Sequence, residues 1–265
     1  MSLKGRTALV TGASMGIGEH IAASLAEAGA NLILFSRSEE KLEQLREKLS
    51  ESTSSKVIFR TVDVGNLESV NNAVSSCARE MGGIDILVNN AGLALGAPNP
   101  FYNLKPDQIL TMNNTNVNGL MFVSHTVLNH AMLSQNAGTI LNVTSITGLE
   151  VPPFPGEAVY HANKACQEAF TNAMRNELNG TNIRVLAIRP GCVATNFHSQ
   201  RVGHDKRMYD QFFEGFEPLI APDIARAVVF MLEQPLNVSI KVLDVVPSAQ
   251  RSIAVFDRKW DERQK

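Results

Sequence analysis

Short apolar, β-branched segments alternate along this chain with longer stretches whose apolar residues recur at helical spacing. Thr7 to Thr11 and Asn31 to Ser36 read as strands. Between them, Gly16 to Gly29 carries Ile21, Leu25 and Ala28 on one face and reads as a helix. Residues Ser38 to Leu49 put Leu42, Leu45 and Leu49 at helical spacing behind a Ser cap. The pattern predicts further strands over Val57 to Val62, Ile84 to Asn89, Thr139 to Thr144, Ile183 to Arg189 and Lys241 to Val245. Helical stretches fall between most of them, around 66–81, 104–134, 158–179 and 221–233. Strands this uniformly apolar are buried on both faces, and parallel strands need crossovers, which are right-handed. The expected fold is therefore α/β: a doubly wound parallel sheet of about seven strands with helices on both faces. Two stretches resist regular assignment, Leu149-Glu-Val-Pro-Pro-Phe-Pro-Gly156 and Cys192 through Pro218. Irregular segments on a rigid sheet are where substrate contacts collect, so loops at about 146–157 and 192–218 are expected on the substrate side.

The 265 residues and 44% hydrophobic content can bury one sizeable core, so residues 1–265 are expected to form a single domain. A formal charge of −2 supplies no basic field, and nucleic acid is not an expected partner. No apolar signal core precedes the first strand, and no apolar run approaches the roughly 18 residues of a membrane span. A cytoplasmic location away from membranes is the expectation. Cys77, Cys166 and Cys192 are odd in number and widely spaced, which points to reduced thiols, and no ligand spacing suggests a metal.

Thr11-Gly-Ala-Ser-Met-Gly-Ile-Gly18 stands between the first strand and the first helix. Glycines there let backbone approach a pyrophosphate, and the helix N-terminus faces its charge. A turn that only needs positive φ would carry the same glycines, but the strand-turn-helix setting favours a dinucleotide and hence a Rossmann fold. Farther on, Tyr160-His-Ala-Asn-Lys164 opens the helix of residues 158–179, so the phenol and the ammonium lie one turn apart on one face. A neighbouring positive charge can lower a Tyr pKa by about 1–3 units, making the pair a tuned acid/base. An exposed Tyr stacked on a Lys stem is the ordinary reading of such a pair in isolation. It is not isolated: Asn89-Asn-Ala-Gly92, Ser145 and Pro190-Gly191 close successive strands, and Asn116-Val-Asn-Gly119 lies in a helix. Strand ends on one edge of a parallel sheet meet at the cofactor crevice.

Together and in this order, these motifs resemble the short-chain dehydrogenase/reductase family over nearly the whole chain. The resemblance implies an enzyme that moves a hydride between a nicotinamide and a carbonyl or alcohol. Tyr160 would donate and accept the proton, Ser145 would hydrogen-bond the reacting oxygen, and Lys164 would hold the nicotinamide ribose and lower the Tyr160 pKa. Asn116 would position a water linking the Lys to solvent, although Asn113 and Asn114 crowd that segment. The cofactor would lie along Gly12, Ser14, Met15, Gly16, Ile17 and Gly18, then Ser36, Arg37, Asp63 and Val64, then Asn90, Ala91 and Gly92. Beyond them it would meet Tyr160, Lys164, Pro190, Gly191, Val193 and Thr195, with Asp63 at the adenine ring. Family members assemble as homodimers or homotetramers, which is the expectation here.

The end of the second strand carries Ser36 and Arg37 and no carboxylate, so the cofactor expected is NADP(H). A plain surface Arg is the alternative. Met15 stands where many NADP-dependent relatives carry a basic residue. Asp85 to Gly96, Pro190 to Phe197 and Val245 to Gln250 further resemble the branch of NADP-dependent 3-hydroxy acid (serine) dehydrogenases. Arg201 occupies about the place of a loop Arg in that branch; it either meets a substrate carboxylate or stands exposed. Phe154 is the second candidate substrate contact. The Pro-rich stretch after Ser145 and the unusual Arg189 depart from the family and suggest a pocket diverged toward a bulkier ketone or aldehyde. Two alternatives share the motifs: a non-catalytic NADP(H) sensor, and a dehydratase or isomerase on the same cofactor.

Overall fold

The computed structural model describes residues 2–152 and 155–264. Its main sheet contains β1 Thr7–Thr11, β2 Asn31–Ser36, β3 Val57–Thr61, β4 Ile86–Asn89, β5 Ala137–Val143, β6 Asn182–Pro190 and β7 Val242–Val245. The order is β3-β2-β1-β4-β5-β6-β7 and every neighbouring pair is parallel. Because the chain turns back past β1 to start β4, the order reverses there, and a crevice opens at the carboxyl ends of β1 and β4. This is the doubly wound Rossmann architecture the pattern predicts, with strand ends within two residues of those expected.

The helices are α1 Gly16–Glu27, α2 Glu39–Ser52, α3 Leu67–Met81, α4 Pro106–Asn113, α5 Gly119–Val127, α6 Leu133–Gln135, α7 Ala158–Glu177, α8 Asn196–Arg201, α9 Lys206–Phe213 and α10 Ala221–Leu232. Two cores explain why the strands are apolar throughout. Ala8, Val10, Leu32 and Leu34 pack with α1, α2 and α10 on one face of the sheet. Leu9, Ile33, Phe35 and Leu87 pack with α3, α5 and Met174 of α7 on the other. Neighbours along a strand thus serve opposite cores, as its two-residue period requires. Among the described residues no helix is long and apolar enough to cross a membrane.

Three local expectations are corrected. Ser38 precedes α2, but its side chain makes no capping bond. The helix expected over 104–134 is a continuous run interrupted by π-helical turns at Asn114–Asn118 and Leu128–Met132. The stretch 192–218 is not irregular throughout, since it contains α8 and α9. Gly203 and His204, both at positive φ, divide these two helices, and Asp205 caps the second by accepting from Met208 N at 3.0 Å. Helices this short carry too few turns to show a period. The chain then closes with an antiparallel pair, β8 Gln250–Ser252 and β9 Val255–Phe256.

Candidate active site

The β1–α1 turn shapes one end of the crevice. Gly12 and Gly16 have φ of +65° and +60°, which side chains other than glycine rarely adopt. Gly18 has ordinary φ, but a Cβ there would lie 2.3 Å from Gly12 O and 2.4 Å from Asn90 Nδ2. Its lack of a side chain lets α1 close onto the turn. The Asn90 side chain donates to Thr11 O at 3.0 Å and Gly12 O at 3.2 Å, while Thr11 Oγ1 accepts from the N–H groups of Asn90 and Ala91 at 3.0 Å. The ends of β1 and β4 are thereby locked together. Met15, the residue before α1, provides no side-chain cap, so the first-turn N–H groups have no side-chain acceptor of their own. Arg37 is exposed beside buried Ser36, and Asp63 accepts from Gly65 N at 3.0 Å. Backbone donors, positive-φ glycines and an unopposed Arg at the end of β2 fit a dinucleotide with a 2′-phosphate.

These residues line one cleft of about 860 Å³, which continues past Ser145, Tyr160 and Lys164 to Arg201. Of the candidates, Gly18 and Asn116 are not on its wall; Gly18 packs behind the turn and Asn116 is fully buried. Phe154 lies outside the described residues.

Ser145 leaves β5 in extended conformation, and its Oγ accepts from Thr147 N at 3.1 Å. Tyr160 and Lys164 both face inward from the first turns of α7 and are buried. Lys164 Nζ lies 5.6 Å from the centre of the Tyr160 ring and donates to Val143 O and Gln167 Oε1, each at 3.0 Å. Burial pushes the Tyr160 phenol well above the usual tyrosine range; Arg201 opposes this, Glu157 adds to it, and hydrogen bonding to Ser145 and Thr147 opposes it again. Burial also brings the Lys164 ammonium down to about 8, with Glu168 working against it. The net direction is thus opposite to the one expected from a neighbouring Lys164: desolvation of the phenol is the largest influence, and the opposing charge is that of Arg201.

Asn116 sits in the first π-helical turn. Its amide clasps Leu93, accepting from the backbone N–H at 2.9 Å and donating to the carbonyl at 2.8 Å, and also donates to Asn163 Oδ1 at 3.1 Å. The Asn116 carbonyl accepts from Gln167 Nε2 at 2.5 Å. Lys164 is thus joined to the Asn116 backbone carbonyl through the Gln167 side chain. Of the three crowded asparagines, Asn116 reaches the strand-end loop, while Asn113 is held by Asn163 Nδ2 at 2.7 Å. Arg189 is turned away from the cleft and bonded to Glu168 Oε2 at 2.8 Å, so this departure from the family is not a substrate group.

On the substrate side, Arg201 is neither exposed nor on a loop. It closes α8, is 8% exposed, and forms an ion pair with Glu157, which precedes α7 and is 3% exposed. Burial raises the Glu157 carboxyl despite Arg201. His198 accepts from Arg201 Nη1 at 3.4 Å and packs in tilted contact with Phe212 at 4.4 Å and Phe213 at 4.9 Å, ring centre to ring centre. Burial, and then the Arg201 charge, lower it to about 3. Glu157 and Gln167 are the participants sequence reasoning missed. Gln167 could have been found from its place one turn beyond Lys164 on the same face, whereas nothing local joins Glu157 to Arg201.

The model of the short chain dehydrogenase family matches residues 6–206. An NADP-dependent 3-hydroxy acid dehydrogenase of Schizosaccharomyces pombe is 39% identical, over 94% of this chain and 95% of its own length. Sulfoacetaldehyde reductase 2 of Chromohalobacter salexigens is 36% identical, over 91% and 94%. Among solved structures, the closed form of serine dehydrogenase complexed with NADP+ superposes with a TM-score of 0.85 at 33% identity, covering 92% of this chain and 96% of the other.

Proposed function

The chain belongs to the short chain dehydrogenase family, and from that premise we propose that Tyr160 is the proton carrier of an NADP(H)-dependent carbonyl and alcohol oxidoreductase. The observation that carries this reading is the convergence of Ser145, Tyr160 and Lys164 on one wall of a cleft whose far end holds the glycine turn and Arg37. When bound, NADPH supplies the hydride that reaches the carbonyl carbon, and leaves as NADP+. The residues supply the rest. Ser145 donates a hydrogen bond to the carbonyl oxygen and orients it. Tyr160 gives that oxygen its proton as negative charge develops; the high phenol pKa keeps the proton on Tyr160 until then. Lys164, whose ammonium burial brings down to about 8, would hold the ribose hydroxyls and replenish the phenol, with Gln167 and Asn116 fixing its position. In the oxidative direction the same groups take the proton back.

Arg37 and Ser36 hold the 2′-phosphate in this reading, and the whole chain acts as one cofactor-binding domain whose substrate side is formed by segments 146–157 and 192–218, the latter carrying α8 and α9. Candidate substrates are 3-hydroxy and 3-oxo acids, by analogy with the relatives, and neutral ketones or aldehydes. We place the protein in the cytoplasm as a homodimer or homotetramer, a state that light scattering on the purified protein would read directly.

The test is consumption of NADPH and NADH against 3-oxo acids, dicarbonyls and aromatic aldehydes, beside the reverse reaction with serine and 3-hydroxy acids. Turnover with NADPH that collapses in Tyr160→Phe is expected. NADPH binding without turnover of any carbonyl, unaltered by Tyr160→Phe, would overturn the reading in favour of a cofactor sensor. A product that is dehydrated or isomerised rather than reduced would overturn it differently.

A further inference from the structure

We propose that the pocket is built for uncharged ketones and aldehydes bearing an apolar or aromatic group, and that Glu157 sets this preference by occupying Arg201. The inference rests on the oxidoreductase reading above and narrows its substrate.

Beyond Tyr160, the basic side chains on the described wall are Lys164, His198, Arg201 and exposed His204, whose Nδ1 lies 3.1 Å from Ser199 Oγ. Lys164 is engaged with Val143 O and Gln167. His198 is buried in an aromatic cluster with one ring nitrogen accepting from Arg201, an arrangement that keeps it neutral at physiological pH. Arg201 lines the cleft, but its charge is already matched by Glu157, and both side chains are almost completely buried. A carboxylate or sulfonate entering beside Tyr160 would bring a second anion to one guanidinium, in a site where desolvation leaves neither anion with a counter-charge of its own. Glu157 thus stands in for the acid group that a charged substrate would carry. The apolar part of the remaining wall suits a neutral occupant: Phe197, whose ring lies 5.5 Å from that of Tyr160, with Leu95, Phe212 and Ile253, beside uncharged polar side chains such as Asn99 and Gln200. Burying apolar surface there favours a substrate with a ring or branched chain on one side of its carbonyl. The reaction is the same in either case: hydride to the carbonyl carbon, a proton from Tyr160 to the oxygen, NADPH oxidised to NADP+.

Matched pairs differing only in charge decide the matter: a 3-oxo acid and its ethyl ester, and benzoylformate and its methyl ester, each reduced with NADPH. The wild-type enzyme is expected to favour the ester by about tenfold or more in kcat/KM. Glu157→Gln keeps the shape, removes the charge and frees Arg201. It is expected to move the acid-to-ester ratio toward the acid by about tenfold, whatever its absolute rate, and adding Arg201→Gln is expected to cancel that gain. A purely structural ion pair would alter both members of a pair alike. Equal or better use of the acids by the wild-type enzyme, which requires no variant to fold, overturns the proposal, as does an unshifted ratio in Glu157→Gln. Those outcomes leave the oxidoreductase reading standing. No turnover of either member while another carbonyl is reduced overturns this inference alone, and NADPH binding with no turnover of any carbonyl, unaltered by Tyr160→Phe, defeats the oxidoreductase reading with it.

Discussion

At the adenosine end of the cleft the lining is mostly backbone and small side chains from the ends of β1, β2, β3 and β4, with Arg37 among them, whereas beyond Tyr160 it includes large side chains such as Phe197, His198, Arg201, Phe212 and Ile253. The first region is shaped by what must be left out. Side chains are missing at Gly12, Gly16 and Gly18 because a Cβ would strain the turn or strike its neighbours. The second is shaped by partners: Arg201 by Glu157, His198 by Arg201 and Phe212, and Phe212 in turn by Phe256 at 5.6 Å. A region defined by exclusion is intolerant of additions, while one defined by partnership changes character when a single member is exchanged. The two regions should therefore respond differently to substitution.

Tyr160 stands at the junction, and its loss is expected to have the largest effect. Tyr160→Phe removes the proton carrier and should lower kcat by about 10²- to 10⁴-fold, measured by single-turnover oxidation of NADPH at saturating substrate. A loss of less than tenfold would move the acid elsewhere. Next comes Arg37→Asp, at the exposed edge of the cofactor half. If Arg37 holds the 2′-phosphate as proposed, the exchange withdraws a charged hydrogen-bond donor and presents a carboxylate instead, so the preference for NADPH over NADH should fall by about 100-fold in kcat/KM. An unchanged preference would show that Arg37 is a surface residue. Smaller again is Gly18→Ala, which tests exclusion directly. Its methyl would strike Gly12 O and Asn90 Nδ2, and the forced shift should cost about 1–3 kcal/mol in urea unfolding and weaken NADPH binding with it. The contrasting exchange is Glu157→Gln, expected to be mild in stability and pronounced in substrate choice.

The same division governs what could be read from the chain alone. The parallel sheet and the glycine turn were legible because each rests on local regularities: runs of apolar residues serving two cores, and glycines at fixed offsets where strand becomes helix. Ser145 was legible as a candidate because it follows a strand end, and Tyr160 and Lys164 because they stand one turn apart on a helix; the three line one cleft. Glu157 and Arg201 stand 44 positions apart on two elements, and neither residue type announces the other; a guanidinium in such a region reads equally well as solvent-exposed or as substrate-facing. α8 and α9 escaped for a related reason, since six and eight residues give too little period to recognise. The direction of the Tyr160 shift was misjudged because spacing reports the neighbouring charge but not the burial that outweighs it.

The smallest expected effect isolates the partnered half by pH. His198 is depressed from 6.5 to about 3 by burial and by Arg201. Between those values the unfolded chain binds a proton that the folded protein refuses, so the unfolded state carries more protons and stability falls as the solution is acidified. The contribution is intact above pH 6.5 and is lost progressively below it, at about 1.4 kcal/mol per pH unit. His198→Phe removes the titrating group while leaving a ring to pack against Phe212 and Phe213. Whatever the variant costs or gains at pH 7.5, its urea stability relative to the wild type should improve by about 1.4 kcal/mol at pH 5.5. The cofactor wall has no comparable buried histidine, so Gly18→Ala should show the same deficit at both pH values. A pH-independent difference for His198→Phe would mean that the ring is protonated as readily in the folded protein as in the unfolded chain. The aromatic wall would then be open to water, and the cost assigned to a second anion beside Arg201 would shrink accordingly.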